Sequence, residues 1–244
     1  TEVTYPENDY SETHILDEKY GPTAPGKYDK PQEYTIRWEA NPSAGEPVVR
    51  LWADDGWSRE YTGLSPEDTY QYITNLLPYA KYHFEVKAGE TVLTSGSFTT
   101  IGHLHQLFFK GQVRNCRDLG GWKTKDGKTV KYRMIYRGGR LQSNTINSTG
   151  KKDILLEGIR AQLDLRGDRD VLDESPVPEF EFFAPHIEEG YVQMLKDDQE
   201  KTRQCMEFIM NCVKENKPVY FHCSLGRDRT GTVSMLILGL LGVD

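Results

Sequence analysis

The chain has 244 residues, 37% of them hydrophobic, and a formal net charge of −7, a length that exceeds one typical domain and suits two folded units with ordinary cores. Its most apolar stretch, Val233 to Val243, carries two glycines and falls well short of a membrane-spanning helix, so no integral membrane segment is expected. The charge is unevenly shared, with 17 acidic against 8 basic residues in 1–101 and 20 against 22 in 102–244.

Residues 1–32, rich in Tyr, Pro, Gly and acids without a sustained period, read as an irregular lead-in. The chain opens Thr1-Glu2-Val3 with neither methionine nor a basic-then-apolar leader. That opening is compatible with an exported protein, periplasmic or secreted, whose leader has been removed, and equally with a cytoplasmic one. Short alternating runs follow at Tyr34–Trp38, Val48–Trp52, Thr69–Thr74, Lys81–Lys87 and Thr91–Phe98, rich in β-branched and aromatic residues, and these predict strands. Turn signals separate them at Asn41-Pro42-Ser43, Asp54-Asp55-Gly56, Ser65-Pro66-Glu67 and Lys87-Ala88-Gly89-Glu90. The spacing predicts an all-β sandwich over 33–101. Trp38 on an early strand and Leu76-Leu77-Pro78-Tyr79-Ala80-Lys81-Tyr82 before a late one resemble fibronectin type III or immunoglobulin-like domains. Such a module implies spacing or binding: it would bind a surface ligand, through aromatics such as Trp52, Trp57 and Tyr61, or pack on a catalytic domain. Core packing is the commoner fate of these aromatics.

From residue 102 the pattern turns to alternating strands and helices, the signature of an α/β domain with a mostly parallel central sheet. Ile159–Leu165 predicts a strand, Glu200–Glu215 a helix, Pro218–His222 a strand and Thr230–Leu241 an apolar helix. Lys110 to Arg140 holds ten Lys or Arg and only two acids, either a cationic face for anionic substrates or plain solvated surface. Aromatic residues are too sparse there for a nucleic-acid stacking platform, and no nucleic-acid partner is expected. Cys205 and Cys212 share a helix face roughly 10 Å apart along the axis, too far for one bridge, and read as core thiols. Six scattered histidines, with His103 and His105 the one close pair, give no metal-ligand set, so neither metal nor other cofactor is expected.

The segment that carries chemistry is His222-Cys223-Ser224-Leu225-Gly226-Arg227-Asp228-Arg229-Thr230-Gly231. It joins a predicted strand to a predicted helix, where free backbone N–H groups and the helix dipole form an anion site. Gly226 permits a tight path. A cysteine aimed into such donors is depressed in pKa and becomes the attacking thiolate. Ser224, Leu225, Gly226, Arg227, Asp228, Arg229 and Thr230 are the expected phosphate cradle. In it the Arg229 fork binds two phosphoryl oxygens, and Thr230 donates to the sulfur when that becomes the leaving group.

This segment resembles the signature of the protein tyrosine phosphatase superfamily, in particular its atypical bacterial branch. Asn115-Cys116-Arg117-Asp118-Leu119-Gly120-Gly121, Tyr136-Arg137-Gly138-Gly139-Arg140-Leu141 and Asp164-Leu165-Arg166 are similar to further motifs of that branch. Arg227 stands where the branch usually has lysine, which keeps the charge but alters its reach toward highly phosphorylated substrates. The family continues past the helix after the loop, so the resemblance implies C-terminal helices beyond Asp244 and a truncated, impaired domain without them. It also implies a metal-free, two-step hydrolysis through a phosphocysteine at Cys223. The substrate would be a phosphorylated protein, with dual-specificity or phosphoinositide activity as alternatives. A catalytically weak protein that binds phospho-ligands or a surface is the reading from another class. The expected general acid is Asp164, at the end of a strand facing the crevice, with Asp228 as the alternative; Asp168, Asp170 and Asp173 read as a solvated loop. His222, Arg117 and Asp118 are expected to brace the loop from behind. Arg137 and Arg140 are either ligands of a second phosphate or structural residues.

Overall fold

The computed structural model describes residues 2–4, 34–101, 107–188 and 190–243. Nearly all of the lead-in and the His103/His105 pair therefore lie outside the described residues. Those described fall into two compact units, one made of residues up to 101 and the other of residues from 107.

In the first unit β1 (Glu2–Thr4), β3 (Pro47–Ala53), β4 (Ser58–Tyr61), β6 (Lys81–Ala88) and β7 (Thr91–Ile101) form a sheet in the order β1-β7-β6-β3-β4. β2 (Tyr34–Arg37) and β5 (Tyr70–Ile73) form a separate antiparallel pair. Period-two alternation sends Val49 and Leu51 of β3 inward with Tyr82, Val86 and Phe98. Ile36 and Ile73 of the two-stranded sheet join the same apolar cluster, with Trp38 and Leu76. β1 and β4 have no counterpart among the strands expected from alternation. Ser58–Tyr61 is found by its hairpin: Gly56 at φ 87° turns the chain, and the Trp57 amide donates to the Asp55 carboxylate at 2.9 Å. Tyr82 is fully buried, and its hydroxyl accepts the Leu77 amide at 3.0 Å.

The second unit contains β8 (Arg117–Asp118), β9 (Ile135–Gly138), α1 (Ser148–Leu156), β10 (Ala161–Asp164), β11 (Glu181–Phe183), α2 (Tyr191–Lys196), α3 (Gln199–Lys214), β12 (Val219–His222) and α4 (Asp228–Leu240). The sheet order is β11-β10-β12-β9-β8. All neighbours pair in parallel except β8, which runs antiparallel to β9 at the edge. β10 and β12 are buried at every position, as expected of parallel strands covered on both faces. Alternation sorts them cleanly. Ala161, Leu163, Val219 and Phe221 pack with Cys205, Ile209 and Cys212 of α3 and Val233 and Ile237 of α4. Tyr220 and Tyr136 face the other way, into a cluster with Ile154 of α1. Asn147 caps α1 by accepting the Gly150 amide at 2.9 Å.

β12 is thus the central strand, and its last residue is in register with Gly138 of β9 and Asp164 of β10. The carboxyl ends of three parallel strands converge where the chain leaves for α4, which is where open α/β sheets gather ligands. Among the described residues no helix is long and apolar enough to cross a membrane.

Tyr82→Phe would strand the Leu77 amide in the core of the first unit. Loss of a buried partner of this kind is worth about 1–3 kcal/mol, and equilibrium denaturation is expected to show a drop of that size.

Candidate active site

The loop from Cys223 to Arg227 leaves β12 and enters α4 at Asp228. Its path depends on Gly226, whose φ is +72°, and a Cβ there would lie 2.5 Å from the carbonyl carbon of Gly138. Both the torsion and the contact exclude a side chain. The Gly226 carbonyl is held from two sides: Asn115 Nδ2 donates to it at 2.8 Å and Arg137 Nη2 at 2.5 Å. Asn115 reaches it from a left-handed backbone conformation at φ 55°. The Arg140 amide donates to the Ser224 carbonyl at 3.2 Å. With its carbonyls drawn outward, the loop turns its N–H groups inward.

The Cys223 side chain is 3% exposed and packs in the cluster on the α3/α4 face of the sheet. Burial pushes its thiol up. The Thr230 hydroxyl and the backbone N–H groups of Thr230, Leu225 and Arg227 outweigh that and hold the thiol below its ordinary value. The Thr230 hydroxyl is buried and makes no hydrogen bond of its own among the described residues, and toward the thiol it acts as a donor that favours the charged form. Cys205 and Cys212 illustrate the opposite case, being pushed up by burial to about 12 and about 11. Arg229, half-buried, donates from Nη1 to the Ile187 carbonyl at 2.7 Å.

His222 is fully buried and linked on both nitrogens. Gln162 Nε2 lies 2.9 Å from its Nε2, and its Nδ1 lies 3.1 Å from the Cys223 carbonyl. The Gln162 amide nitrogen can only donate, so Nε2 accepts and Nδ1–H donates to the loop. Burial lowers the pKa of His222, in keeping with a neutral ring. Gln162 Oε1 in turn accepts the Ser175 hydroxyl at 2.7 Å.

Asp164 stands at the strand end, as expected, but its side chain belongs to the face opposite Cys223. It is fully buried and bound by the Arg166 guanidinium, Nε to Oδ1 at 2.8 Å and Nη2 to Oδ2 at 2.7 Å. Burial pushes this carboxyl up, but the neighbouring His222 ring and the hydrogen bonds and charge of Arg166 prevail and hold it below the usual carboxylate value. With His222 neutral, the Arg166 fork is the main source of that effect. The geometry is that of a buried strut paired with Arg166. Asp228 differs in every respect: it is exposed, opens α4 directly after the loop, and accepts a hydrogen bond from the Tyr191 hydroxyl on Oδ1.

Asp118 braces the edge of the sheet, accepting the Gly120 amide at 2.8 Å and the Arg133 amide at 2.6 Å. Arg117 pairs in β8 with Arg137 of β9. Arg137 is a tether of the loop, and Arg140 contributes its backbone. Asp168 meets His186 on an exposed surface at 2.6 Å. Among the described residues no group of three or more His, Cys, Asp or Glu is placed to hold a metal ion.

Residues 110–244 match the model of the tyrosine phosphatase family. The chain belongs to that family. A protein of Cupriavidus necator named as a tyrosine-protein phosphatase is 25% identical over 163 residues, which cover 57% of this chain and 59% of the relative. A tyrosine-protein phosphatase of Nostoc commune is 38% identical over 61 residues, 25% of this chain and 20% of the relative. The chain thus spans less than two thirds of the length of either relative.

The loop, its cysteine and its arginines are readable from sequence because one short motif holds them. The tethers are less so: Asn115 and Arg137 lie far away in the chain, though both fall inside family-like motifs. Tyr191 and Ile187 sit in a stretch with no motif, and no sequence signal points to them.

Alkylation of Cys223 by iodoacetamide is expected to follow a thiolate titration with its midpoint below that of an ordinary thiol. Thr230→Val removes a donor to the charged form and should raise that midpoint, while Cys205 and Cys212 stay unmodified in the folded protein.

Proposed function

We propose that this protein is a cysteine-dependent phosphomonoester hydrolase acting on phosphorylated protein, foremost on phosphotyrosine. The observation that carries this reading is the placement of Cys223 on the loop at the head of α4, where the Thr230 hydroxyl and the backbone N–H groups of Thr230, Leu225 and Arg227 hold its thiol below the ordinary value. In the first step the Cys223 thiolate attacks phosphorus, the ester P–O bond breaks, and the leaving oxygen takes a proton from the Asp228 carboxyl. Water then attacks the phosphocysteine and yields a proton to the Asp228 carboxylate. The P–S bond breaks, and the thiolate returns to the donors of Thr230 and the loop amides. Arg229, held by the Ile187 carbonyl, supplies a fork for two phosphoryl oxygens through both steps.

Asp228 takes the acid role in this reading because its carboxyl is exposed on the loop itself, whereas that of Asp164 is spent on Arg166 across the sheet. His222 and Asp118 act by bracing.

The first unit we read as a separate fibronectin type III or immunoglobulin-like sandwich, spanning 33–101. Support comes from the burial of Trp38, from two sheets sharing one core, and from the Tyr82 hydroxyl accepting an amide five residues upstream at the start of a late strand, the tyrosine corner of such folds.

Phosphate release from a small aryl phosphate tests the main reading. Cys223→Ser and Arg229→Ala should abolish it, and Asp228→Asn should slow it by about 10²–10⁴ on a poor leaving group. Asp164→Asn should act on stability instead, since breaking one side of a buried ion pair costs about 3–5 kcal/mol. No turnover by folded wild type would overturn the proposal, and selective loss of acid catalysis in Asp164→Asn would overturn the choice of acid.

A further inference from the structure

Ile187, Gly190 and Tyr191 each touch the loop-to-helix junction. The Ile187 carbonyl holds Arg229 at 2.7 Å. A Cβ on Gly190 would lie 3.2 Å from Asp228 Cβ and 3.4 Å from the Arg229 nitrogen, so this backbone rests directly on the first turn of α4. Tyr191 itself is tied at both ends. Its amide donates to Thr232 Oγ1 at 3.2 Å, and that hydroxyl donates to the Asp228 carbonyl at 3.1 Å. Its phenol donates to Asp228 Oδ1. The residue adopts φ 52°, a left-handed conformation that is uncommon for a bulky side chain and persists where surrounding contacts over-determine it.

Asp228 has no other side-chain hydrogen bond among the described residues. An exposed carboxylate at the start of a helix samples several rotamers, and only some of them point toward a leaving group. Proton transfer demands one geometry at hydrogen-bond distance. We propose that Tyr191 is a positioning residue that fixes the orientation of the Asp228 carboxyl group for proton transfer to and from the reacting phosphoester, an inference that rests on Asp228 being the acid. Tyr191 is 61% exposed, and its phenol lies beside a carboxylate that pushes the phenol pKa up, so it stays protonated as a donor across the neutral range. It forms no bond to phosphorus and exchanges no proton with substrate. It holds the group that does.

The test is a series of aryl phosphates whose phenols run from acidic to weakly acidic, with kcat and KM measured for wild type, Tyr191→Phe, Asp228→Asn and the double variant. Tyr191→Phe is expected to lower kcat roughly 10-fold on the weakly acidic leaving groups, a share of the full acid effect, with little change on the most acidic one. KM should stay within about two-fold. Combined with Asp228→Asn, it should cause no further loss, since the two residues act as one unit. An equal loss on every leaving group, a rise in KM with kcat kept, or multiplicative losses in the double variant would overturn the inference. Should Asp228→Asn leave the leaving-group dependence unchanged, the acid assignment fails, and the role of Tyr191 with it. If Asp228→Asn steepens that dependence and Tyr191→Phe does not, only the role of Tyr191 fails.

Discussion

The Gly226 carbonyl is the point on which the site turns. A short loop between strand and helix can present its peptide groups either way round, and an anion site needs the N–H groups inward. Asn115 Nδ2 and Arg137 Nη2 take the Gly226 carbonyl from outside, and the positive φ of Gly226 is what lets it turn there. The remaining loop amides then act on the Cys223 sulfur. The depressed thiol is thus owed to the Thr230 hydroxyl and, beside it, to backbone direction. The charge on Arg137 contributes by fixing a carbonyl, one step removed from the reaction.

Legibility from sequence followed the distance over which each interaction acts. The loop was readable because its torsional, electrostatic and nucleophilic requirements fall within ten consecutive residues. β10, α3, β12 and α4 were readable because alternation and helical spacing are local. β4 and β11 were not, being three or four residues long and set by their partners. The proposed choice of acid shows where one-dimensional reading stops. Asp164 is at the strand end that a crevice residue should occupy, but strand parity decides which side of the sheet receives its carboxyl. Parity becomes meaningful only once the register Asp164↔His222 is known. His222 and Asp164 then lie on one face while Cys223, one residue on, turns to the other.

Behind the loop runs a chain of neutral hydrogen bonds, from the Ser175 hydroxyl through Gln162 and His222 to the Cys223 carbonyl. Every member is satisfied in only one tautomer and one amide orientation, so the chain specifies geometry without placing a charge behind the thiolate. The ionised pair Asp164–Arg166 is neighbour to it but neutralises itself.

Two stretches of backbone meet where Gly138 and Gly139 pass Gly226, with no room for a methyl group between Gly138 and Gly226. A cradle built this way has a single shape, since van der Waals closeness leaves the floor no alternative packing. Freedom to vary is left to exposed residues around this floor, such as Tyr191 against Asp228. Ile187, in the same stretch as Tyr191, is fully buried, and a side chain on Gly190 would press on Asp228 and Arg229. In this chain the floor is fixed by glycines, while the side chain that meets Asp228 comes from a segment that carries no motif.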